Sequence, residues 1–97
     1  MRYGILGIGF EKKPEGLEKF FSDEEYTSVK EFSDYQIYMR ADNPWPQIFY
    51  YPQIVLNNKT NTVQVHIHFI FRNEIINETG RLSLVIQEKF KGIVDNP

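Results

Sequence analysis

Thr62-Val63-Gln64-Val65-His66-Ile67-His68-Phe69-Ile70-Phe71 alternates two sets of side chains. Val63, Val65, Ile67, Phe69 and Phe71 fall in one phase, and Thr62, Gln64, His66 and His68 in the other. A strand turns successive side chains to opposite sides, so the pattern is that of a strand with one apolar and one more polar face. Its β-branched and aromatic content supports the same reading.

Two similar segments flank this strand, Asn58-Lys59-Thr60-Asn61 before it and Asn77-Glu78-Thr79-Gly80 after it. Both read as four-residue hairpin loops, because Asn and Gly tolerate the left-handed conformation such loops require at their last position. The first loop sets Leu56 opposite Val63 and Ile54 opposite Val65. The second sets Leu82 opposite Ile75 and Ile86 opposite Phe71. Both registers gather the apolar sets on one face, so the expectation is a meander of strands over 47–56, 62–76 and 81–90. A strand over 62–76 is long and is expected to bend or bulge near Asn73. Leu82, Val85, Ile86, Phe90 and Ile93 also fit a helical stripe, which leaves a helix over 81–92 as the alternative. Pro52 cannot donate to a ladder and belongs at an outer edge or at the end of pairing.

Farther out, Leu6, Ile8 and Phe10 alternate with Gly7 and Gly9, a strand open to close approach on its glycine side. The glycines do not make a nucleotide loop, since neither the G-x-G-x-x-G spacing nor a following Gly-Lys-Ser/Thr is present. Pro14 opens a short helix whose apolar face is Leu17, Phe20 and Phe21, and Ser22-Asp23-Glu24-Glu25 is suited to capping a further turn. Tyr35, Ile37 and Met39 alternate with Gln36, Tyr38 and Arg40 as another strand, and residues 42–46 read as a turn. The fold class expected is α+β: one domain over 1–97, an antiparallel meander of about four to five strands, and one or two short N-terminal helices on one face.

Composition bounds what such a domain does. The 97 residues are 41% apolar and 25% charged, ordinary for a folded domain, while the aromatic share of 15% exceeds what a small core needs and points to rings on a contact surface. The chain contains no cysteine, which rules out disulfides, a thiolate nucleophile and cysteine-ligated metal sites and favours a cytoplasmic, reducing setting. Residues 1–10 lack the pattern of a secretory signal, and no segment has membrane-spanning length. The Asn-x-Thr triplets at Asn58 and Asn77 are therefore read as turn chemistry rather than glycosylation acceptors.

Chemistry-bearing constellations are few. His66 and His68 share one strand face, but the register places Gln53 and Tyr51 on one side of them and Lys89 and Lys91 on the other, which disfavours a cation. No metal or other cofactor is expected. No serine stands in a nucleophile context and the paired carboxylates look solvated, so no catalytic residue is assigned and an enzyme is not expected. Gln53-Ile54-Val55-Leu56-Asn57 and Pro44-Trp45 resemble the Gln-x-Val-x-Gly hairpin and Pro-Trp loop of cystatins. Their order along the chain is inverted and Asn57 stands where glycine is needed, so no family follows.

The net charge of −2 conceals an asymmetry: 11–34 holds eight acids and four bases. This suggests a surface for a basic partner. The function expected is a small binding or inhibitory protein, such as an immunity protein neutralising a bacterial toxin or nuclease, or a phage-encoded inhibitor. Asp23, Glu24, Glu25, Glu31 and Asp34 are its expected charged contacts, and Tyr38 and Trp45 its anchors. Phe49, Tyr51, His66 and His68 are expected on a second contact face, together with Ile70, Arg72, Lys89 and Lys91. The alternatives are a sheet platform for nucleic acid, disfavoured by the acidic balance, and a small-ligand or metal site at His66 and His68.

Overall fold

In a computed structural model, which describes residues 2–40, 51–59 and 62–95, the alternating segment is a strand from Thr62 to Ile70. The elements are β1 (Tyr3–Phe10), α1 (Leu17–Asp23), β2 (Tyr26–Glu31), β3 (Tyr35–Arg40), β4 (Gln53–Lys59), β5 (Thr62–Ile70), α2 (Asn73–Phe90) and β6 (Ile93–Asp95). The six strands form one sheet in the order β2-β3-β4-β5-β1-β6, and every neighbouring pair is antiparallel. The domain is thus an α+β meander, with β1 and β6 appended beside β5.

Alternation selects which side of this sheet is covered. Val63, Val65 and Ile67 of β5, Ile8 and Phe10 of β1, Ile54 and Leu56 of β4 and Tyr38 of β3 form a single buried cluster with Leu17, Phe20 and Phe21 of α1 and Leu82 and Ile86 of α2. Both helices therefore lie on one face. Phe21 meets Tyr38 at 4.8 Å between ring centroids and Phe20 meets Phe90 edge-on at 5.7 Å, so α1 is wedged between the sheet and the end of α2. Arg81 of α2 bonds Glu78 and also Glu24 at the end of α1. The arginine is half exposed, so this link orients the helices more than it stabilises them.

The C-terminal strand expected over 81–90 is instead part of an eighteen-residue helix, and Asn77-Glu78-Thr79-Gly80 lies within it rather than at a hairpin. Extended backbone at Arg72 starts α2, and Ile75, Thr79, Leu82, Ser83 and Ile86 are its buried residues, the spacing of one helical face. Leu84, which a strand would place beside Leu82 and Ile86, is 60% exposed. Three alternating residues were a weaker signal than a helical stripe extending back to Ile75. The middle strand accordingly ends at Ile70, without reaching the bend expected near Asn73.

The place beside β5 belongs to β1, whose Leu6 and Ile8 stand opposite Ile67 and Val65. On the other side Leu56 pairs with Val65 and Ile54 with Ile67, two residues tighter than expected, with Lys59 opposite Thr62. A shift of two leaves every side chain on its expected face. Pro52 is buried immediately before β4, at the end of pairing. Helix α1 stops at Asp23; Glu24 caps it and Glu25, at φ 69, turns the chain into β2. The turn expected over 42–46 lies outside the described residues.

Candidate functional site

The face of the sheet opposite the helices carries no helix among the described residues, and the register orders it into rows. One row runs from Phe32, just past the end of β2, through Tyr35, Asn57, Gln64, Gly9 and Ile93 across the other five strands, with the Phe32 N–H bonded to the Tyr35 carbonyl where β2 turns into β3. The next runs Lys30, Ile37, Val55, His66, Gly7 and Asp95, with Gly7 buried, and a third contains Gln53, His68 and Ile5. Tyr3 is 66% exposed, Ile5 41%, Phe32 45% and Ile93 77%. The Phe32 and Tyr35 rings stack at 4.5 Å, forming a ridge at the β2–β3 edge. Between these margins the middle strands present Gln53, Asn57, Gln64, His66 and His68, so the face is polar at its centre and apolar at its two edges; exposed apolar clusters of this kind mark contact sites. The remaining end of the face is closed, with Met39 and Ile70 buried.

His66 and His68 do share this face, as their spacing predicts, but their neighbours differ from those expected. Val55 and Gln53 flank them on β4, and Gly7 and Ile5 on β1. Lys89 instead lies over the Phe20 ring on the helical side; with Lys91 at the end of α2, both leave the expected contact face because 81–90 is helical. Arg72 is likewise the N-cap of α2 rather than a member of that face. His66 Nε2 lies 3.1 Å from Gln64 Oε1. Among the described residues no three His, Asp or Glu side chains converge as ligands.

Burial, reinforced by the neighbouring His66, lowers the His68 pKa from its ordinary value near 6.5. The unfolded chain then takes up this proton first as pH falls. Stability is therefore full above the ordinary value and declines as pH drops below it, towards the depressed folded value. Urea unfolding at neutral and mildly acidic pH should show a lower midpoint in acid, and His68→Gln should flatten that part of the pH dependence.

The acidic residues expected to dock a basic partner do not form one patch. Asp23, Glu24 and Glu25 sit at the end of α1, whereas Glu31 and Asp34 lie at the far end of β2, a strand length of about 20 Å away. Most are also engaged within the chain: Asp23 with Lys19 at 3.0 Å, Glu24 with Arg81, Glu25 with Arg40 at 2.9 Å and Glu31 with the Gln36 amide at 2.6 Å. The Asp34 carbonyl accepts from the Asn58 N–H at 2.7 Å, which joins the β2–β3 turn to β4.

Tyr38 faces the helices and is 5% exposed, so its ring belongs to the core. Burial and the nearby Glu18 carboxylate push its hydroxyl up to about 12. Tyr51 lies under the Arg40 guanidinium, 4.2 Å from its ring centre. Trp45 and Phe49 fall outside the described residues.

Ile5, Phe32, Tyr35, Ile37 and Gly9 were not among the expected contact residues. The alternations in 6–10 and 35–39 were legible, but the face each presents follows only from the β1–β5 and β3–β4 pairings. Comparison with known protein families, curated proteins and solved structures finds no significant match. No helix among the described residues is long and apolar enough to cross a membrane.

Proposed function

We propose that the chain is a protein-binding domain whose contact surface is the helix-free face of its sheet. The observation that carries this reading is the pair of exposed apolar margins, Phe32 and Tyr35 at one edge and Tyr3, Ile5 and Ile93 at the other, on a face opposite the core. The helices cover only one side of the sheet, and the margins of the other leave aromatic and aliphatic side chains in water. An inhibitory or toxin-neutralising protein is the specific form of this reading, with the target seated on that face. The divided and internally paired acids make charge a secondary contributor. Nucleic acid is a poorer fit, because Lys30 is the one Lys or Arg in these rows and Asp95 stands in the same row, whereas phosphate recognition needs several cations.

The test compares Ile37→Glu, in the centre of the exposed face, with Leu84→Glu on the solvent side of α2. Both are first checked for an unchanged circular dichroism spectrum. Tagged proteins are then used to recover binding species from the source cell. Loss of the bound species with Ile37→Glu alone supports the reading; equal behaviour of the two variants overturns it.

A further inference from the structure

Resting on that reading, we infer that the occupant of the helix-free face is a second copy of this chain, packed sheet against sheet about a two-fold axis parallel to the strands. The strongest pointer is Gly9. Glycine weakens a strand interior and usually marks a bulge or a close approach by something else. Gly9 lies within regular β1–β5 pairing. A Cβ built there meets only the Ile93 carbonyl at 3.9 Å, and its backbone needs no positive φ. Nothing within the described chain requires a glycine at this position. Its bare side faces outward, onto the exposed surface.

The register supplies what fits there. Tyr35 and Gly9 stand in one row, on β3 and β1, with Asn57 and Gln64 between them. An axis along the strands and between β4 and β5 exchanges the two halves of the sheet. It lays β3 of one copy over β1 of the other, and β2 over β6. The Phe32–Tyr35 ridge of each copy then falls on the Gly9–Ile93 trough of its partner. Aligned sheets pack about 10 Å apart with strand directions within about 30°, which keeps the matched rows in reach.

Charge and area agree with a self-contact. An isologous interface juxtaposes its own residues, and the proposed axis lays the row position of Lys30 on β2 over that of Asp95 on β6, so like charges are not set together. The positions in these rows, each about 4.8 Å by 6.8 Å, give roughly 500 Å² per copy, or about 1,000 Å² in all. This is the size of a weak, transient complex and implies a dimer of about 100 μM affinity. Pairing through the β2 edge is a poorer alternative, because the register shift between Ser28 and Lys30 breaks that edge.

The absence of cysteine makes a direct test possible. Sedimentation of wild type should rise with concentration from the 11.5 kDa of one chain towards twice that mass. Gly9→Val should hold it at the monomer mass while retaining the wild-type circular dichroism spectrum. A mixture of Gly9→Cys and Tyr35→Cys chains treated with a short bismaleimide should yield mainly the mixed dimer, because like positions lie about 14 Å apart laterally. Wild type that remains monomeric at millimolar concentration overturns the inference. So does preferential joining of Gly9→Cys to itself. If wild type is monomeric yet Ile37→Glu alone loses a recovered partner, the binding face stands and its occupant is a different protein.

Discussion

Ile67→Ala should lower the unfolding free energy by about 2–5 kcal/mol, whereas His66→Ala, one residue away, should change it by less than about 1 kcal/mol. Ile67 is fully buried between Leu6 and Ile54 on the helical side, at the centre of the sheet. Truncation removes apolar contacts from a site whose neighbours belong to three strands and cannot collapse into the void. Domains of this size have roughly 5–15 kcal/mol in total, so the loss should lower the melting temperature by on the order of 15 °C. His66 is only half-buried on the opposite face and bonds to Gln64 beside it. Thermal and urea unfolding should be measured at low protein concentration, so that association does not contribute. Equal costs at the two positions would refute a core confined to one face.

The contrast between Ile67 and His66 was legible in the sequence because alternation is a local property of a strand. So were the apolar face of α1 and the phase of β4 against β5, which survived a two-residue change in turn length because side-chain direction repeats every two residues. The partner of β5 on its other side was not legible. Strand pairing is long-range, and β1, more than fifty residues earlier in the chain, competes for that position with any apolar segment nearby. Residues 81–90 carried both periods, and the choice between them depended on whether the stripe continued through Thr79 to Ile75. The threonine and glycine of a supposed turn concealed that continuity. The candidate site suffered most from this. Ile5, Ile37 and Gly9 become one surface only after β1 and β3 are set on either side of the central hairpin, whereas the acids at 23–25 and at 31 and 34, close together along the chain, are separated by the length of β2.

Gly92→Ala should destabilise the domain by about 1–3 kcal/mol, and Gly9→Ala should not, although both glycines adjoin the same two strands. A Cβ at Gly92 would lie 2.5 Å from Ile8 Cγ2 and 2.6 and 2.7 Å from atoms of the Phe10 ring. Ile8 is fully buried and Phe10 nearly so, which leaves neither room to retreat. Gly92 follows Lys91, whose left-handed backbone ends α2, and leads into the three residues that pair with Gly7, Ile8 and Gly9. Overpacking there should loosen that pairing first. Hydrogen exchange should therefore quicken at the amides of 93–95 and along the outer edge of β1, alongside a lower urea midpoint. Gly9→Ala faces no such obstruction, and replacing a strand glycine should leave the monomer equal or slightly more stable. If Gly9→Ala proves as costly as Gly92→Ala at low concentration, Gly9 serves the fold of the single chain. The case for a second copy seated against it would then lose its strongest support.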